Sequence, residues 1–126
     1  MKNFILFLLL LSSTIIYSQK GPKIEFLAQD NTIDYGKVSK SENILRSFEF
    51  KNTGDAPLLI IAAESTVSYV VVNKPSAAIM PGKKGKIDVT YNSISTGPIR
   101  KTITVESNAV NYPDGRIAIK IKGEVL

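Results

Sequence analysis

The sequence predicts an all-β protein, an antiparallel β-sandwich of seven or eight strands. Three observations lead there. Apolar and polar residues alternate with period two over most of the chain, which is the pattern of a strand with one dry and one wet face. Turn chemistry falls between the alternating segments, at Pro81-Gly82, Thr96-Gly97-Pro98 and Pro113-Asp114-Gly115. Helical periodicity is nearly absent. Short strands with frequent turns close most readily as two packed sheets.

The first 18 of the 126 residues stand apart. Lys2 precedes the unbroken apolar run Phe4 to Leu11, and Ser12-Ser13-Thr14 and Ile15 to Ser18 follow. This is the layout of a secretory signal peptide, with cleavage expected after the small residue Ser18. The competing reading is a membrane anchor. A spanning helix needs about 20 apolar residues, and Phe4 to Tyr17 offers 14 positions, three of them hydroxylic. The expectation is therefore export to the periplasm or beyond, with no membrane span after cleavage. Losing Lys2 takes the formal charge from +5 to +4 and leaves 108 residues.

Residues 19–22 form an expected flexible lead-in, and 23–126 the sandwich. Strands are expected at Lys23–Ala28, Thr32–Tyr35 and Ile44–Phe50. The turn Asn52-Thr53-Gly54-Asp55 comes next. Asparagine and aspartate bond nearby backbone amides there, and glycine adopts left-handed dihedrals cheaply. Pro57, which lacks a donor, fits the start of the next strand. Leu58–Ala63 and Ser68–Val72 follow. Then come Lys86–Asn92, Ile99–Glu106 and Arg116–Lys122, in which Ile87, Val89 and Tyr91, then Ile99, Ile103 and Val105, then Ile117, Ile119 and Ile121 form the apolar faces.

Several segments resemble a bacterial family of exported domains, the one called domain of unknown function fifteen seventy-three. They are "TIDYGKV" (Thr32 to Val38), "FEFKNTGDAPLLI" (Phe48 to Ile60), "IMPGKKGKIDVTYN" (Ile79 to Asn92), "KTITVESNA" (Lys101 to Ala109) and "IKIKGEV" (Ile119 to Val125). The resemblance covers about Ile24 to Val125. It implies an immunoglobulin-like sandwich similar to Hydin-type and major-sperm-protein-like domains, and it speaks to fold rather than function. The family usually carries two nearby cysteines in the region of Ala62 to Pro75. Here Ser65 and Ser68 stand near those places, and a hydroxyl neither forms disulfides nor acts as a soft metal ligand.

Composition removes much chemistry. There is no histidine and no cysteine, so Ser-His-Asp and Cys-His catalysis and Cys/His zinc sites are excluded. Gly82-Lys83-Lys84-Gly85-Lys86 lacks the spacing of a phosphate loop. Asp30 to Asp34 lacks that of an EF-hand, and a turn accounts for it. No cofactor and no nucleic acid are expected. With no disulfide available, stability must come from the core.

In Leu58 to Ala63 both parities are apolar, and Val70 to Val72 repeats this on a smaller scale. One explanation is a strand whose outer face is covered by a loop. The other is an exposed strip or an open sheet edge where another chain docks. The second yields the primary functional expectation. The protein is a non-catalytic binding or structural module of the cell envelope, meeting a protein partner through Leu59, Ile61, Tyr69 and Val71. One alternative is a polyanion- or carbohydrate-binding domain using Lys83, Lys84 and Lys86 with an exposed tyrosine such as Tyr91 or Tyr112. The other is a hydrolase in which two carboxylates converge in a cleft.

Overall fold

The structure is a computed structural model that describes residues 20–126. The expected signal peptide and Gln19 lie outside the described residues. Eight strands run in the order β1 (Ile24–Phe26), β2 (Thr32–Val38), β3 (Asn43–Asn52), β4 (Ile60–Ser65), β5 (Val70–Asn73), β6 (Lys84–Asn92), β7 (Gly97–Ser107) and β8 (Arg116–Val125). Each expected strand appears, with ends shifted by a few residues. No α-helix occurs among the described residues, only short 3₁₀ turns at Gln29–Asn31 and Pro113–Gly115.

Two four-stranded sheets form the sandwich, in the orders β1-β3-β6-β5 and β2-β8-β7-β4. The first is antiparallel throughout. In the second, β2 lies parallel to β8, so the sheet is mixed. Alternation reports which face a residue takes and carries no information on strand direction, which is why the parallel edge was not expected.

The alternating residues pack where their period places them. Phe48, Phe50, Ile87 and Val89 from the first sheet, and Ile103, Val105 and Ile119 from the second, are completely buried or nearly so. Phe26 meets Phe48 edge-on at 6.4 Å and Phe50 at 5.7 Å, separations at which aromatic pairs attract. Gly85 occupies an inward position of β6 opposite Phe50. A Cβ there would stand 2.7 Å from Phe50 Cζ and 2.8 Å from Ile79 Cδ1, so the ring fills the space a side chain would need.

The Pro81-Gly82 turn forms as expected: Gly82 takes φ 79° and Lys83 N–H donates to Met80 O at 3.0 Å. Asn52 to Asp55 is also a turn, and it does more than reverse the chain. A Cβ on Gly54 would be 2.1 Å from Gly21 O, so glycine admits the N-terminal segment. Gly21 N–H donates to Asp55 Oδ1 at 2.7 Å, Asp55 N–H donates to Gly21 O at 3.1 Å, and Val110 N–H donates to Pro22 O at 2.8 Å. Gly21 and Pro22, expected in a flexible lead-in, are instead tied to two loops.

Candidate functional site

β4 and β5 are edge strands of the two sheets, and among the described residues neither has a hydrogen-bonded neighbour strand on its outer side. In β4 and its approach, Leu58 and Ile60 are buried while Leu59 and Ile61 are 41% and 50% exposed. Beside them Leu58 is bridged to Ile79, donating its N–H to Ile79 O at 2.9 Å and accepting from Ile79 N–H at 2.8 Å. A bulge between Ile60 and Ala62 leaves Ile61 without a partner on β7. Such bulges re-aim side chains at sheet edges. Leu59 is held from one side: its N–H donates to Asn108 Oδ1 at 2.8 Å, and Asn108 N–H donates to Leu59 O at 3.1 Å.

The other two expected docking residues sit elsewhere. Val71, 45% exposed, faces out from the first sheet, in a row with Thr90 and Leu45. Tyr69 is half-buried against the core. Leu59 and Ile61 thus belong together on the edge of one sheet, whereas Val71 and Tyr69 do not join them in one surface.

Tyr69 belongs to a cluster that sequence reasoning missed. Its ring meets Tyr91 edge-on at 5.7 Å, and Tyr91 meets Tyr35 at 6.3 Å. Lys101 Nζ lies 5.4 Å from the centre of the Tyr69 ring, and Arg46 Cζ 5.4 Å from that of Tyr35. Both cations occupy positions whose neighbours at the same parity, Ile99 and Ile103 or Ile44 and Phe48, point into the core. They cap its end through their aliphatic stems and cation–π contact. The visible clue was a cation at an apolar parity position. A hydrogen bond with Tyr69 holds the Lys101 ammonium above its ordinary pKa. Burial raises that of Tyr91.

Tyr35 donates its hydroxyl across the sandwich to Val89 O at 2.7 Å, and burial pushes its phenol up to about 12. The neutral form is thus favoured by folding. This contribution is complete below the unfolded tyrosine pKa of about 10 and fades as pH rises through about 12. Melting temperature should therefore fall across that alkaline window, and Tyr35→Phe should flatten the fall while lowering stability at neutral pH. An unchanged alkaline slope in the variant would contradict this assignment.

The lysines of the polyanion reading lie on or beside the outer face of the first sheet. Lys84 pairs across from Lys51 and Lys86 from Glu49, and Glu25 lies in the Lys51 row. Acids therefore interleave with them. Tyr91 is buried and Tyr112 packs against the core, so neither is the exposed platform that reading requires. The carboxylates are dispersed. Asp55 caps the N-terminal segment, Asp88 Oδ1 accepts from the Ser47 hydroxyl at 2.6 Å, and Asp34 Oδ1 accepts from Gly36 N–H at 2.8 Å. No group of three or more acids that could hold a metal occurs among the described residues.

The comparisons with known proteins concern the fold. The family described as "Protein of unknown function (DUF1573)" matches residues 26–125. A crystal structure of a protein of unknown function from Porphyromonas gingivalis W83 superposes with a TM-score of 0.70 at 16% identity. It covers 88% of this chain, which spans half of that one. The ASH / PapD-like domain 7 of human CEP192 gives 0.61 at 14% identity, covering 88% of this chain and 92% of that domain. SSP-19, an MSP-domain-like protein of Caenorhabditis elegans, gives 0.52 at 9% identity, covering 70% and 92%. No curated protein matches this chain.

Proposed function

We propose that this chain, which belongs to the DUF1573 family, is an exported, non-catalytic binding or structural module of the cell envelope that works through protein–protein contact at the open edge of β4. One observation carries this reading. Leu59, just before β4, and Ile61, within it, are each about half exposed, and β4 has no hydrogen-bonded neighbour on its outer side among the described residues. A sheet edge offers backbone donors and acceptors to an extended partner segment, and flanking side chains supply selectivity. The likeness to PapD-like and MSP-like domains supports the fold of such a module.

The test is affinity capture from an envelope extract with the purified protein and with a Leu59→Asp/Ile61→Asp variant of matched melting temperature. The protein should retain a defined set of partners that the folded variant loses. Retention of the same set by both would remove β4 from the reading.

A further inference from the structure

The outer face of the second sheet carries an unbalanced arrangement of charge that neither the fold nor the β4 edge explains. Toward its ends, opposite charges face each other across the strands: Glu106 opposes Arg116, and Lys37 opposes Glu124. At its centre Arg100 directly opposes Lys122. Cβ atoms at such positions are about 4.5–5.5 Å apart, and like charges there are destabilising. Lys120 follows on the same face about 7 Å along the strand. Its row is completed by Thr102 and Thr32, with no acid. The acid beside Lys122 is Asp34, and one of its oxygens already accepts the Gly36 N–H. The first sheet has a like-charge pair of its own, Lys51 opposite Lys84, also with one acid, Glu25, in its row; what sets the second sheet apart is the adjacent Lys120 row, which holds none.

The surface is shaped as well as charged. Three adjoining open depressions all include Lys122. One, of about 450 Å³, is bordered by Gly36, Lys37 and Arg100 but also by Asp34 and Glu124, and another by Asp30 and Asp34. The third, of about 440 Å³, is bordered by Arg100, Thr102, Lys120 and Thr32. A side chain at Gly36 would meet nothing within 4 Å, so that position leaves the floor open.

We propose that this face binds a phosphate monoester or pyrophosphate group, with Arg100 and Lys122 clasping it and Lys120 and the threonines completing the shell. The Arg100 guanidinium offers a planar fork to two oxygens, and lysine a mobile point charge. A multiply charged oxyanion between them turns the like-charge repulsion into attraction. No aromatic residue borders these depressions, so a nucleobase has nothing to stack on. The group is carried by a lipid headgroup or by a water-borne phosphate. This surface is distinct from the β4 edge and stands if that reading fails.

The experiment titrates the protein with inorganic pyrophosphate while following backbone amides by NMR, and separately sediments it with phosphatidylcholine vesicles with and without phosphatidic acid. Lys122→Glu and Arg100→Glu are the test variants and Lys84→Glu the control. Saturable shifts at residues 100, 102, 120 and 122, weakened about tenfold or more by either test variant and unaffected by the control, establish the site. Arg100→Glu should also melt at the same or a higher temperature, since it replaces the like-charge pair with Lys122 by an opposite one and faces no acid across β7 and β8. A pyrophosphate response alone identifies a water-borne ligand, and co-sedimentation alone a lipid headgroup. No saturable response to either probe, or equal weakening by Lys84→Glu, overturns the proposal.

Discussion

Asn52→Ala is expected to lower unfolding stability by about 3–5 kcal/mol, a large part of the roughly 5–15 kcal/mol available to a domain of this size. Asn52 is fully buried and its amide is saturated. Nδ2 donates to Ala56 O and Ile79 O, each at 2.8 Å. Oδ1 accepts from Gly54 N–H at 2.9 Å and Lys23 N–H at 3.3 Å. One side chain thus binds the N-terminal segment, its own turn and the approach to the 81–82 turn. Removing it strands one carbonyl and two amides, each costing about 1–3 kcal/mol where water does not reach, while Ile79 O keeps the Leu58 N–H at 2.9 Å. Asn52→Asp keeps both acceptor bonds but loses both donors and buries a charge, so it should be comparably damaging. Urea denaturation monitored by circular dichroism measures both. A loss below about 1 kcal/mol in the alanine variant would mean that solvent replaces the amide, and the hub assignment would fail.

Phe48→Ala should cost a similar amount, about 3–5 kcal/mol. Phe48 is wholly buried, sits mid-strand opposite Ile87 and packs edge-on against Phe26. Its removal takes apolar area out of the core and leaves a cavity that two β-sheets, each fixed by its ladder, close poorly. No disulfide exists to offset the loss, because the chain has no cysteine. The urea midpoint should drop with little change in slope. Phe48→Leu, which keeps most of the volume, should recover most of the difference. If the two variants were equally unstable, cavity formation would not be the cause.

These two residues were unequally visible in the sequence. Phe48 could be assigned to the core because its neighbours alternate over a full strand. Asn52 read as one of four turn-forming residues, since its partners Lys23 and Ile79 lie 29 and 27 positions away. The candidate surfaces divide in the same way. That one parity of Leu58 to Ile61 would be buried followed from the pattern, whereas the exposure of the other depended on whether a loop crossed it. Tyr69 and Val71 looked like neighbours of Leu59 and Ile61 because all four are apolar and close in sequence. The fold places them on different sheets and sends Tyr69 inward.

The Arg100–Lys122 pair was hidden for a related reason. Each residue occupied an ordinary wet position of its own strand, and only the register of β7 against β8 sets them face to face. The amino-acid order by itself determined that strands form, which residues each strand buries, where the turns fall, and that histidine and cysteine chemistry is absent. Tertiary structure alone decided the parallel partner of β2, the tyrosine cluster under Lys101 and Arg46, the amide hub at Asn52 and the charge unbalanced across two strands. Periodicity is a property of single segments, set by local backbone geometry. Register and sheet order are relations between segments far apart in the chain, set by the joint packing of all of them.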